Sequence, residues 1–168
     1  METRTLIPVE EYLATVYRPD CDYVDGEVRE RNLGEWDHSS TQTALVVYLH
    51  ALQKRLGIRA VVEQRVQVAR NRFRVPDICV ITGEPERVLT RPPFLCIEIL
   101  SPEDRMSRVQ ERIDDYFAMG VAHVWVVDPQ TRRAYEATAA EGLREVKAAV
   151  LRTSNPVVEV PLAEIFEP

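Results

Sequence analysis

Two acidic residues stand where acids are costly. Glu98 lies inside Phe94-Leu95-Cys96-Ile97-Glu98-Ile99-Leu100, a run that otherwise reads as a strand covered on both faces. An ionised carboxylate in such a place is expensive unless a cation, a metal or several donors compensate it. Asp77 shares the parity of Phe73, Val75, Cys79 and Ile81, so strand alternation turns it toward the same interior. Two carboxylates on adjoining core strands repel each other unless something positive sits between them. A hard divalent cation with oxygen ligands, Mg²⁺ or Mn²⁺, answers that need, and hydrolysis is the chemistry it brings. A purely structural alternative also exists: Asp77 caps a bend after Pro76 while Glu98 pairs with a core arginine.

The elements that must position these acids follow from the hydrophobic pattern. Pro8 to Tyr17 reads as a short first helix, with Pro8 in its first turn and Glu10 and Glu11 near its positive end. Tyr23 to Val28 reads as a hairpin turning at Asp25-Gly26. Asp37 or Ser39 is placed to cap a helix reaching Leu56, whose apolar residues Leu45, Tyr48, Leu49, Leu52 and Leu56 recur at helical spacing before Gly57. The period then changes. Ala60 to Ala69 alternates as one half-buried strand, and Phe73 to Ile81 is a second strand interrupted at Pro76-Asp77. After the Glu98 strand, Asp104 to Met119 returns to helical spacing and stops at Gly120. His123 to Asp128 forms another apolar strand, followed by a hairpin near Glu141-Gly142 and a short helix at Leu162 to Phe166. This order predicts a mixed α/β core of helix, three strands, helix, strand, in which the strands flanking the second helix run parallel.

Composition bounds the rest. The chain has 168 residues, suited to one domain spanning 1–168, and is 45% hydrophobic and 29% charged, which excludes wholesale disorder. Its net charge of −6 excludes a constitutive nucleic-acid coat protein. No apolar run approaches the roughly 20 residues that span a bilayer, and Met1 to Glu11 lacks the order of a signal peptide. Cys21, Cys79 and Cys96 share no close metal-ligand spacing and read as reduced core thiols of a cytoplasmic protein. Lys54 and Lys147 are the only lysines; every other cation is arginine.

Several of these residues together form a recognisable pattern. Pro76-Asp77, Cys96-Ile97-Glu98-Ile99-Leu100-Ser101-Pro102, a helix with Tyr116 and Gly120-Val121, and Trp125-Val126-Val127-Asp128-Pro129 resemble the Uma-two family of restriction-endonuclease-like proteins, once a domain of unknown function. Tyr23 to Glu27 and His38 extend the resemblance over most of the chain. That family belongs to the PD-(D/E)xK nuclease superfamily, whose αβββαβ order agrees with the pattern above. The resemblance implies divalent-metal-dependent hydrolysis of phosphodiesters, with Asp77 and Glu98 as metal ligands. The superfamily's lysine would stand two residues after Glu98, where this chain has Leu100; in the family it moves into the next helix, to the position of Arg112.

Arg105, Arg108 and Arg112 form a stripe at i, i+3 and i+7 beside the apolar face of that helix. Arg112 is therefore the expected catalytic cation, with Lys54 and Lys147 both remote. Arginine stabilises phosphate charge but is a poor proton acceptor. Glu27, in the Asp-Gly-Glu segment, is the expected third acid; Glu63, on the polar face of the Ala60–Ala69 strand, is its rival. His38 is a further candidate near a helix start, while Trp125 and Tyr116 read as core. DNA is the expected partner, gripped by a local strip such as Arg70, Arg72 and Arg74 with the helix arginines. The small size suits a homodimer around a duplex. Two other readings stay open: a catalytically lapsed nuclease fold serving as a binding or regulatory module, and an enzyme of the same fold acting on RNA.

Overall fold

The computed structural model describes residues 5–32 and 34–166. The chain opens with α1 (Val9–Ala14), one turn shorter than its sequence pattern. The β-branched Thr15 and Val16 precede Arg18-Pro19, and the residue before a proline is pushed away from helical geometry. β1 (Asp22–Val24) and β2 (Glu27–Arg29) form the expected hairpin, with Asp25 and Gly26 at φ 51° and 100°, the positive values a two-residue turn of this kind requires. α2 (Trp36–Leu56) starts earlier than the sequence indicates. Neither Asp37 nor Ser39 caps it; Glu35 precedes the first turn, and Asp37 lies within that turn, where its charge favours the helix dipole. Gly57 ends the helix in the left-handed conformation at φ 64°.

The strand expected over Ala60–Ala69 is two strands in two different sheets. β3 (Arg59–Val62) pairs with β6 (Ile78–Ile81), whereas β4 (Val66–Ala69) pairs with β5 (Arg72–Arg74). Glu63 breaks the strand at φ 50°, and the turn that follows delivers Arg65 to Asp20, which accepts two of its N–H bonds at 2.7 and 2.6 Å. The guanidinium also lies 4.4 Å over the Tyr12 ring. The return strand breaks at Val75-Pro76-Asp77 for the reason the sequence gives, a proline that cannot donate to the ladder.

The smaller sheet has the order β2-β1-β5-β4. The larger has the order β10-β9-β8-β7-β6-β3, with β7 (Leu95–Ile99), β8 (His123–Asp128), β9 (Arg133–Thr138) and β10 (Gly142–Glu145). β7 and β8 are parallel, joined through α3 (Met106–Met119), and every other neighbouring pair in this sheet is antiparallel. A last pair, β11 (Val150–Arg152) with β12 (Glu159–Pro161), precedes a single 3-10 turn at Leu162–Glu164 in place of the expected short helix.

The large sheet is covered on both faces, so the buried residues of its middle strands are apolar apart from Glu98. Leu45 and Leu49 of α2 pack over Ile78, Ile97, Trp125 and Val127. Val109, Ile113 and Tyr116 of α3 pack over Cys79, Cys96, Val124 and Val126 on the other side. Each fully buried aliphatic side chain contributes about 1.5–3 kcal/mol. Cys21, Cys79 and Cys96 are buried free thiols, and burial pushes the Cys79 thiol up to about 12. No helix is long and apolar enough to cross a membrane, among the described residues.

Candidate active site

The exceptional residue in the middle of the large sheet is Glu98. Register places Ile78 opposite Ile97 in the β6–β7 ladder, which brings Asp77, at the foot of β6, beside Glu98. Both carboxylates line one cavity of about 620 Å³ at the junction of the two sheets with the first turns of α2 and α3. Both are buried, at 3% and 7% exposure.

Asp77 is fixed by four parts of the chain. Its Oδ2 accepts the Ile99 N–H at 2.7 Å, while Oδ1 takes a hydrogen bond from Arg31 and lies 3.4 Å from His38 Nε2. Its carbonyl accepts Gln42 Nε2 of α2 at 2.9 Å and the Glu63 N–H at 3.2 Å. Glu98 is held from α3: Oε1 accepts Arg112 Nη2 at 2.8 Å and the Tyr116 hydroxyl. Arg112 and Tyr116 stand one helical turn apart, so a single face of α3 delivers both.

Arg112 also reaches the smaller sheet. Its Nη1 donates to Asp22 Oδ2 at 2.5 Å and its Nη2 to the Val75 carbonyl at 2.9 Å, while Nε is buried with no hydrogen-bond partner. Asp22, on β1, accepts the Val75 N–H at 2.9 Å and Arg74 Nη1 at 3.0 Å. Arg74 is tied in turn to Asp115 of α3 at 2.6 Å. The bend between β5 and β6 is thus clamped by charge from both sides.

The electrostatics separate the two central acids. Burial pushes Asp77 toward the neutral form, but the hydrogen bond and charge of His38, the Arg31 guanidinium and the Ile99 N–H outweigh it and hold the carboxyl below its usual range. For Glu98 burial wins: assisted by the charge of Asp77 and opposed by Arg112, it pushes the carboxyl up to about 6. Burial also opposes charge on His38, yet Asp77 keeps its imidazole above the ordinary value. Arg112 is held well above its usual value against burial by Asp22 and Glu98.

The structure brings Asp77, Glu98, Arg112, Glu27 and His38 to one cavity, together with Arg108. Glu27, on β2, pairs with Arg29 at 3.5 Å. Glu63 lies outside the lining, half-exposed, with Arg31 at 3.8 Å. Lys54 and Lys147 are also outside it, Lys147 pairing with Glu145 at 2.8 Å. The strip of Arg70, Arg72 and Arg74 is not a free basic surface. Arg74 is buried at 2% exposure, and Arg72 pairs with Asp25 at 2.6 Å and Asp115 at 2.9 Å. Sequence reasoning also missed Asp22 and Arg31.

Seven acids and five arginines line the cavity, a negative balance that favours a cation. Among the described residues no group of three or more His, Cys, Asp or Glu side chains is arranged to hold a metal ion. Asp77 and Glu98 nevertheless suit Mg²⁺ or Mn²⁺, which commonly take one or two carboxylates and fill their other positions with water and substrate phosphate. Guanidinium groups on both acids mark the place as one that demands positive charge.

A mixed sheet with its acids at the junction of two layers defines a restriction-endonuclease-like α/β protein. The Uma2 family model, described as "Putative restriction endonuclease", matches residues 9–164. The chain belongs to that family. Among solved structures it is similar to "a putative nuclease belonging to DUF820 from Anabaena variabilis ATCC 29413", with 21% identity, a TM-score of 0.80, and coverage of 95% of this chain and 97% of that one. No curated protein matches the chain.

Proposed function

We propose that the protein is a divalent-metal-dependent endonuclease that hydrolyses phosphodiester bonds in DNA. The observation that carries this reading is the pairing of two buried carboxylates, Asp77 and Glu98, across adjacent strands in a cavity of negative balance. Asp77 and Glu98 would hold Mg²⁺ or Mn²⁺, which supplies neutralisation of phosphate charge and a lowered pKa for water. The chain's own residues set the geometry. Tyr116 and Arg112 fix the Glu98 carboxylate from one side, and the Ile99 N–H fixes Asp77 from the other. Arg112 keeps its charge at every working pH, so its part is electrostatic stabilisation at the phosphate rather than proton transfer. Asp77 favours the charged form of His38 beside it, and Glu27 closes the acidic wall on the β2 side. Arg108 is an exposed cation on the rim, placed for a neighbouring phosphate of the strand. One cavity per chain cuts one strand, so cleavage of both strands calls for a homodimer.

A second reading, a lapsed nuclease fold that binds without cutting, is favoured by two observations: neither Lys54 nor Lys147 lines the cavity, and Arg112 is engaged by both Asp22 and Glu98. A plasmid-nicking assay across Mg²⁺ and Mn²⁺ separates the two. Nicking that requires the metal and disappears in Asp77→Ala supports the enzyme. A chain that binds DNA yet leaves the plasmid intact at every metal concentration is the lapsed protein. A structured RNA of similar length in the same assay decides the substrate.

A further inference from the structure

Arg31 is not part of any regular element, yet its side chain is only 11% exposed and its guanidinium donates to Asp77 Oδ1, an oxygen that His38 Nε2 also approaches at 3.4 Å, with Glu63 3.8 Å from Arg31. The other Asp77 oxygen is committed to the Ile99 N–H. A divalent cation held at Oδ1 therefore competes with Arg31, the shorter of the two contacts on that oxygen, more than with His38. The short segment carrying it, Glu30-Arg31-Asn32, leads out of β2 and lines the cavity mouth. Besides the contacts of Arg31 itself, a hydrogen bond from Asn32 Nδ2 to Asp104 Oδ1 at 2.8 Å ties it to the opposite wall. Glu98, by contrast, is served by Arg112 from a rigid helix, and that guanidinium is anchored on Asp22 and the Val75 carbonyl. The two arginines on the two acids thus differ in kind: one is locked, the other is mounted on a strap.

We propose that Arg31 is an exchangeable counter-cation, which neutralises Asp77 in the free protein and passes to a substrate phosphate when a divalent cation binds. This rests on the assignment of Asp77 and Glu98 as metal ligands. A guanidinium suits both positions, because its fork matches carboxylate and phosphate alike. Asp77 is buried, and removing its shortest charged contact is costly even with His38 beside it, so the free protein keeps Arg31 in place and holds metal weakly. A phosphate at the mouth offers Arg31 a new partner and frees Asp77. Metal and nucleic acid then bind with positive coupling, and each strengthens the other by the same factor. The device restrains metal loading until substrate is present.

The test is Mn²⁺ titration by calorimetry on the full chain, with and without a DNA duplex carrying hydrolysis-resistant phosphorothioate linkages. Arg31→Gln, Arg31→Met, Arg31→Lys and Asp77→Asn are compared with the wild type. The neutral variants are expected to bind Mn²⁺ about tenfold more tightly than the wild type in the absence of DNA, since they remove the competing charge. DNA is expected to tighten Mn²⁺ binding in every chain that keeps Asp77, because a phosphate also ligates the metal, and to do so about tenfold more in the wild type and Arg31→Lys than in the neutral variants. Two neutral replacements of different polarity guard against one that fails to fold. Equal or weaker Mn²⁺ binding in the neutral variants, or DNA coupling as large in them as in the wild type, overturns the exchange while leaving the metal site standing. Mn²⁺ binding that persists in Asp77→Asn overturns the metal site itself, and the exchange with it.

Discussion

The two faces of the large sheet are built from the same strands and differ in one respect. Toward α2, Ile78, Ile97, Trp125 and Val127 meet Leu45 and Leu49 in an unbroken apolar layer. Toward α3, the layer begins in the same way at Cys79, Cys96 and Val124, then ends in Glu98, Tyr116 and Arg112. The strand alternation that makes both faces also makes Glu98 point with Cys96 rather than with Ile97. The α2 face contributes transfer free energy and little else. The α3 face gives up part of that gain to desolvate charges whose mutual pairing does no more than offset the cost. A fold tolerates such a cluster on one face because the other face holds the sheet together.

Substitutions sharpen this contrast, and the largest effect is expected on the charged face. Arg112→Ala leaves Asp22 and Glu98 buried without their shared cation, a loss of about 3–5 kcal/mol. Denaturant melts should show that loss, and a nicking assay should show no cleavage even under conditions where the variant is folded. Leu49→Ala, on the apolar face, is fully buried in the wild type and should cost about 2–5 kcal/mol, with a typical value near 3. Its folded fraction should keep the wild-type metal response. If Leu49→Ala instead loses metal binding while folded, the two faces are not separable and the contrast fails.

A smaller effect is carried by pH. Glu98 ionises near 6 in the folded chain against 4.5 ordinarily, so between these values the native state binds more protons than the unfolded one. Stability contributed by the protonated form is therefore lost as pH rises through that window. Glu98→Gln does not titrate there. The stability of the metal-free wild type minus that of Glu98→Gln should fall by on the order of 2 kcal/mol from pH 4 to pH 7. A difference that stays flat, measured by urea melts across the range, would mean that Arg112 cancels the effect of burial on Glu98, and one that rises would mean that Arg112 outweighs it. His38 acts in the same direction at higher pH, since its folded value is raised and its contribution fades as pH passes through it.

What could be read from sequence follows the same division. Asp77 and Glu98 were legible because an acid of core parity in an apolar run contradicts its neighbours. Arg112 was singled out by the family resemblance, which places a cation four residues before Tyr116, and helical spacing set it beside the apolar face. Asp22 was illegible because its partners, Val75, Arg74 and Arg112, come from a bend and a distant helix. Arg31 lies in a segment with no period at all. Arg74 was misread for a subtler reason: alternation turns it away from Phe73, but α3 covers that side too, through Asp115. The break at Glu63 left no mark on the pattern, because Val62, Val66 and Val68 keep the same parity across it.

The smallest effect is expected from Arg112→Lys, and it tests what the locked arginine is for. Lysine keeps the charge, and its single ammonium can reach either Asp22 or Glu98 in the manner of one Arg112 nitrogen, but it lacks the fork that spans both. One interaction is weakened rather than removed, so the cost in stability should be about 1 kcal/mol, well below that of Arg112→Ala. Chemistry should move the other way. A lysine here restores the residue type that the resemblance places at this position, and its amine gives up a proton where a guanidinium does not. Cleavage by Arg112→Lys should equal or exceed that of the wild type in Mg²⁺, while Arg112→Ala stays inactive. Loss of cleavage in the lysine variant at full folding would mean that the fork, by holding Asp22 and Glu98 at once, sets the spacing of the two sheets around the cavity.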